Sequence, residues 1–161
     1  MDVQKLLATI KTMPLGEVYA FAIERERDAQ TFYQEAAEVV TNPGARTLLA
    51  DLYEEEVDHE RILTEAREGG QVELVGKPRG FVELGLAEMM PDVKVLPQST
   101  VQDILIRAIK KEAFAVEFYK AATAQTDDET AKKLFARLVE EETQHKAMLE
   151  TWYDDHILRD N

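Results

Sequence analysis

Apolar residues recur along this chain at steps of three and four, the spacing of one helical face, in four long blocks. The first block carries Leu15, Val18, Ala22, Glu26, Ala29, Tyr33, Ala37 and Val40, and the second Leu48, Leu52, Glu56, His59 and Leu63. Ile104, Ala108, Glu112, Ala115, Tyr119 and Ala122 make the third, and Leu134, Leu138, Glu142, His145, Leu149 and Trp152 the fourth. The pattern predicts helices over about 14–40, 45–67, 100–124 and 130–153, after a short amphipathic start. Pro14 suits a helix start, the TNPG run at 41–44 a stop, and Gly69-Gly70 an end. Ser99 and Gln102 have capping-box spacing, and Asp127 is a candidate N-cap.

The second and fourth blocks repeat one arrangement, since 142 − 56 = 86 and 145 − 59 = 86. Aligned at that offset without a gap, residues 22–65 and 108–151 share 16 identities in 44 positions, with AIERERDAQTFY falling on AIKKEAFAVEFY. The chain is therefore an internal duplication of a helical hairpin. Between the hairpins lie residues 69–99, rich in Gly and Pro, with a short helix expected near FVELGLAEMM. So long a connection suits a crossover along a bundle, because a helix of about 24 residues is roughly 36 Å long. A lone hairpin buries too little to stand as its own domain. The expectation is one all-α domain over 1–161: a four-helix bundle with helices two and three parallel and the halves related by a pseudo-twofold.

Each buried stripe is interrupted by polar residues: Glu26 on the first, Glu56 and His59 on the second, Glu112 on the third, Glu142 and His145 on the fourth. Glu26 and Glu112 are also 86 apart, so all six fall at one level of the bundle. Four ionised carboxylates in an apolar interior need positive charge beside them, because burying even one unpaired ion costs several kcal/mol. No Lys or Arg lies on these stripes, with Lys110 and Lys111 off the stripe of Glu112. Two divalent cations balance four carboxylates, and two neutral imidazoles complete the ligand set. Carboxylate with imidazole suits iron first and manganese second, with zinc a possible substitute; magnesium and calcium prefer oxygen alone. Glu54, Glu55, Glu140 and Glu141 repeat as well and are read as a solvated face. Tyr33 and Tyr119, two turns beyond Glu26 and Glu112, are read as packing, with hydrogen bonding at the centre or electron relay as the alternative.

Composition narrows the classes of function. With 161 residues, 45% of them apolar and 32% charged, the chain suits a folded domain, and its formal charge of −13 argues against sequence-independent nucleic-acid binding. There is no cysteine, hence no disulfide, no thiolate nucleophile and no iron–sulfur site. The start MDVQKLLATIKTMP is too polar for a secretory signal, and no run approaches the roughly 20 apolar residues of a membrane span, so a cytoplasmic protein is expected.

These residues resemble the rubrerythrin-like branch of the ferritin-like di-iron carboxylate proteins, in which two helices give a Glu each and two give Glu-x-x-His. The resemblance rests on Glu26, Glu112, Glu56-Val57-Asp58-His59 and Glu142-Thr143-Gln144-His145, and covers roughly 15–153. It implies two irons bridged by Glu56 and Glu142, with Glu26, Glu112, His59 and His145 as terminal ligands. The four glutamates would act in catalysis through the metal centre. The implied activity is oxidoreduction of hydrogen peroxide or dioxygen, with electrons from an external donor protein because no Cys-ligated rubredoxin-like domain is present. Ala115 stands where rubrerythrins tend to carry a further ligand Glu. The alternatives are a ferroxidase or iron-handling protein, and a non-catalytic, metal-stabilised binding module. Bundles of this kind often self-associate, which makes a homodimer the default expectation.

Overall fold

The computed structural model describes residues 1–70, 83, 84, 86 and 94–158. In order they form α1 (Val3–Lys11), α2 (Leu15–Val39), α3 (Pro43–Gly69), α4 (Val101–Gln125) and α5 (Glu129–Tyr153), followed by a π turn at Asp154–Leu158. The four long helices end within two residues of the expected positions. Two caps sit one residue later than expected. Thr100, not Ser99, accepts from the Asp103 amide while Asp103 returns to the Thr100 amide, placing an anion in the first turn of α4. Asp128, not Asp127, accepts from the Ala131 amide at the start of α5. Asn42 caps α3 with Pro43 in its first turn, so the TNPG run both ends α2 and begins α3.

Three-residue connections make α2–α3 and α4–α5 antiparallel hairpins, and each hairpin packs tightly on itself. Helices α2 and α4 also run antiparallel, since Tyr33 meets Glu112 while Tyr119 meets Glu26. Helices α3 and α5 do the same, with Glu56 opposite His145 and His59 opposite Glu142. It follows that α3 and α4 are parallel, as the crossover expectation required. The crossover and its expected short helix lie largely outside the described residues; Leu84 and Leu86 within it are buried.

The core is divided in two. One apolar cluster holds Val18, Ala22, Leu63, Ala115, Tyr119, Phe135 and Leu138, and the other holds Ala29, Tyr33, Leu49, Leu52, Ile104, Ala108 and Leu149. The 86-residue offset exchanges them, pairing Val18 with Ile104, Leu52 with Leu138 and Leu63 with Leu149. The Leu, Ile, Val and Phe side chains buried in each cluster stabilise by about 1.5–3 kcal/mol apiece, which fixes helix register on both sides of the polar layer. Helix α1 adds Leu6 and Ile10 to the first cluster and packs on α4.

Candidate metal centre

All six polar residues singled out in the stripes are buried, and they meet between the two apolar clusters. Each long helix delivers its share for the same reason: leucines, alanines and aromatics a turn or two away anchor the face inward, and the polar residue at the same azimuth must follow. Two groups of ligand atoms result. Glu26, Glu56, His59 and Glu142 lie within 4.8 Å of one another, as do Glu56, Glu112, Glu142 and His145. Glu56 and Glu142 belong to both groups, while Glu26 with His59 and Glu112 with His145 belong to one each.

Both histidines present Nδ1 to the interior. His59 Nδ1 is 2.7 Å from Glu142 Oε1 and 3.7 Å from Glu26 Oε2, and His145 Nδ1 is 3.2 Å from Glu56 Oε1. The rings stack at 5.5 Å between centroids. The outer carboxylates are oriented by tyrosines: Tyr33 Oη donates to Glu112 Oε1 and Tyr119 Oη to Glu26 Oε1, each at 2.5 Å. Packing alone therefore does not describe Tyr33 and Tyr119.

Glu26 Oε2, Glu56 Oε2, Glu112 Oε2, both oxygens of Glu142 and both nitrogens of His59 are buried with no well-aligned hydrogen-bond partner. Among the described residues the remaining buried atom of this kind is Arg25 Nε, in the same cluster. Lone pairs converging without donors are what a cation satisfies, and oxygen with imidazole suits iron, manganese or zinc. The donor set fits a pair of metal ions.

The ferritin-like domain profile matches residues 16–154, which span the four long helices from the second residue of α2 onward and include all six residues. The chain belongs to the ferritin-like domain family. Among solved structures, a hypothetical protein from Pyrococcus furiosus is similar over 92% of this chain and 93% of its own, with a TM-score of 0.72 and 24% identity, a likeness that shows the fold. No curated protein matches.

This ferritin-like chain departs from the charge balance expected of it. The expectation of an interior without basic residues is corrected by Arg25, which is 2% exposed. Its Nη2 lies 3.1 Å from Glu26, 3.7 Å from Glu142 and 3.8 Å from Glu56. Lys111, its mate at the 86-residue offset, is also buried, yet its Nζ sits over the Phe32 ring, 5.4 Å from the centroid. The stripes read from sequence were too narrow, because α2 and α4 are buried over a broad arc that includes the position just before each glutamate. The signal was present as two basic residues at equivalent places in the repeat. The case for two metals then rests on duplicated geometry, not on counting charge.

Electrostatics reflect the same asymmetry. Burial pushes Glu26 up, but the Arg25 guanidinium together with hydrogen bonding to Glu56 and His59 outweighs it and holds the carboxyl well below its usual range. Glu56 is pushed up to about 7, by burial first and then by Glu26 and Glu112. Burial also raises Glu112 and Glu142, helped by the nearest carboxylates. Burial alone would lower both histidines, yet Glu142 and Glu26 raise His59, and Glu56 and Glu112 raise His145. Without metal, the layer thus shares protons among its carboxyls and imidazoles beside one fixed guanidinium.

Proposed function

We propose that the chain is a di-iron carboxylate oxidoreductase resembling rubrerythrin, acting on hydrogen peroxide or dioxygen. Glu56 and Glu142 would bridge the metals, Glu26 and His59 would hold one, and Glu112 and His145 the other. The single observation that carries this reading is that the two ligand groups share Glu56 and Glu142 and no other residue. When bound, two irons would supply and take up the electrons of the reaction, with manganese the second choice.

The protein's own contribution is geometric and electrostatic. Tyr33 and Tyr119 hold one oxygen of Glu112 and of Glu26, leaving the other oxygen of each for metal. The apolar clusters above and below keep bulk water from the layer. Arg25 supplies a fixed positive charge beside Glu26, Glu56 and Glu142, where negative charge would otherwise accumulate. Electrons would come from a donor outside these 161 residues, which carry no cysteine for a relay cluster. The acidic surface suits a basic donor and disfavours nucleic acid, and among the described residues no helix is long and apolar enough to cross a membrane. A homodimer is the proposed assembly.

Two other readings have particular observations behind them. Ala115, buried one turn after Glu112, offers no further carboxylate, which favours iron oxidation and transfer over peroxidase turnover. Arg25 compensates part of the buried charge without any metal, which favours a structural or binding role. Anaerobic protein loaded with Fe(II) separates them when given hydrogen peroxide and a chemical reductant. Many turnovers per centre support the oxidoreductase; consumption of Fe(II) without turnover supports iron handling; neither supports the binding module.

A further inference from the structure

The outer edges of the two imidazoles have no role in the centre as described. His59 Nε2 lies 3.8 Å from Glu141 Oε1, and His145 Nε2 lies 4.0 Å from Glu55 Oε2. Glu55 and Glu141 are 86 residues apart, like the histidines, so the two contacts are mates under the same twofold. One ligand atom from each of Glu55, His59 and His145 lies within 4.8 Å of the others, compact enough for a single ion. His59 is fully buried, and its Nε2 has no hydrogen-bond partner. A groove of about 440 Å³, lined by Asp51, Glu54, Glu55, Glu141, Gln144 and His145, leads to this place.

Building on the two-metal reading, we propose that Glu55, Glu141 and the Nε2 atoms of His59 and His145 form an outer loading site for divalent cations. An ion held there is on its way to the interior centre. The inner edges of the same rings face Glu142 and Glu56 through Nδ1, so a cation arriving from the groove meets Nε2 first. The near-parallel rings lie 5.5 Å apart between centroids, so both imidazoles stand between the groove and the interior carboxylates. When the ion passes inward and is held through Nδ1, the hydrogen that Nδ1 carried is given up and Nε2 takes one on, donating it to Glu141 from His59 and to Glu55 from His145. The outer site then loses its nitrogen donors, and saturation stays at two ions per chain.

A waystation and a mere prop for the rings differ kinetically. Removing a waystation slows uptake and release alike and leaves the equilibrium affinity unchanged; removing a prop weakens the affinity. The probe is Co(II), followed by stopped-flow visible absorbance on uptake and by an EDTA chase on release. It is applied to the full chain and to Glu55→Gln/Glu141→Gln and Glu55→Ala/Glu141→Ala variants. Glu35→Ala/Glu68→Ala, at two exposed glutamates elsewhere, matches the charge change. Both glutamates of the outer site are partly exposed, and circular dichroism with thermal melting establishes folding of each variant. The expected result is two Co(II) per chain in every case, with uptake and release both slowed roughly tenfold only in the Glu55/Glu141 variants. Unchanged rates, rates slowed equally by Glu35→Ala/Glu68→Ala, or weakened affinity at an unchanged uptake rate would overturn the loading site while leaving the interior centre standing. Absence of Co(II) binding by the unaltered chain would overturn both.

Discussion

Tyr33 on α2 donates a 2.5 Å hydrogen bond across the bundle to Glu112 on α4, and Tyr119 on α4 returns the same bond to Glu26 on α2. Both donor and acceptor are buried, so each bond fixes one carboxylate oxygen and commits the other to the centre. Tyr33→Phe and Tyr119→Phe should each weaken divalent metal affinity about tenfold, as loss of an outer hydrogen bond to a ligand generally does. In the metal-free state Tyr33→Phe should cost about 1–3 kcal/mol in urea unfolding, because Glu112 Oε1 loses its donor, and Tyr119→Phe less, because Glu26 Oε1 keeps the Arg25 hydrogen bond. Loss of metal affinity in both variants would bear out the paired role of the tyrosines, and affinity unchanged in both would argue against it.

Arg25 breaks that symmetry, because its mate Lys111 lies over Phe32 and not among the carboxylates. The guanidinium neighbours Glu26, Glu56 and Glu142, three of the four ligands of one position, and a cation there must approach a fixed positive charge. Isothermal titration with Co(II) should resolve two unequal steps. In Arg25→Met the steps should converge, while the metal-free variant loses about 3–5 kcal/mol because buried carboxylates are left unpaired. Equal steps in the unaltered chain would show that Arg25 does not distinguish the positions.

Stability of the metal-free protein should fall as pH rises through neutrality. The Glu56 pKa is raised on folding to about 7, so its stabilising contribution is complete below its ordinary value of 4.5 and is lost as pH rises through 7. Glu112, Glu142, His59 and His145 are all raised too, so their contributions are lost in the same direction. Glu26 is lowered and loses its contribution only in acid. Metal binding requires these groups deprotonated, so affinity should rise with pH. The gap in melting temperature between loaded and metal-free protein should therefore widen between about pH 6 and pH 8. Parallel curves would contradict the shared protons described for the layer.

The architecture was legible because the duplicated stripe encodes it twice: Leu52 and Leu138, or Leu63 and Leu149, hold the same place in each half. The six polar residues were legible for the same reason, since an inward azimuth shared with Leu or Ala carries Glu26 or Glu56 into the interior. What the stripe concealed lay beside it or across the bundle. Arg25 is one residue off the face, and its burial depends on how broadly α2 is covered. The bond from Tyr33 to Glu112 spans 79 residues and depends on α2 and α4 being antiparallel. Glu55 and Glu141 do face outward, yet they also approach the histidines, a relation set by the spacing of α3 and α5.

The most direct test of the central claim is metal content per chain after anaerobic loading with Fe(II) and removal of excess, for the unaltered chain and for Glu56→Ala and Glu142→Ala. Because Glu56 and Glu142 belong to both ligand groups, the account predicts two irons in the unaltered chain and loss of both in either variant. Fewer than two irons in the unaltered chain, or two retained when Glu56 or Glu142 is removed, would contradict it.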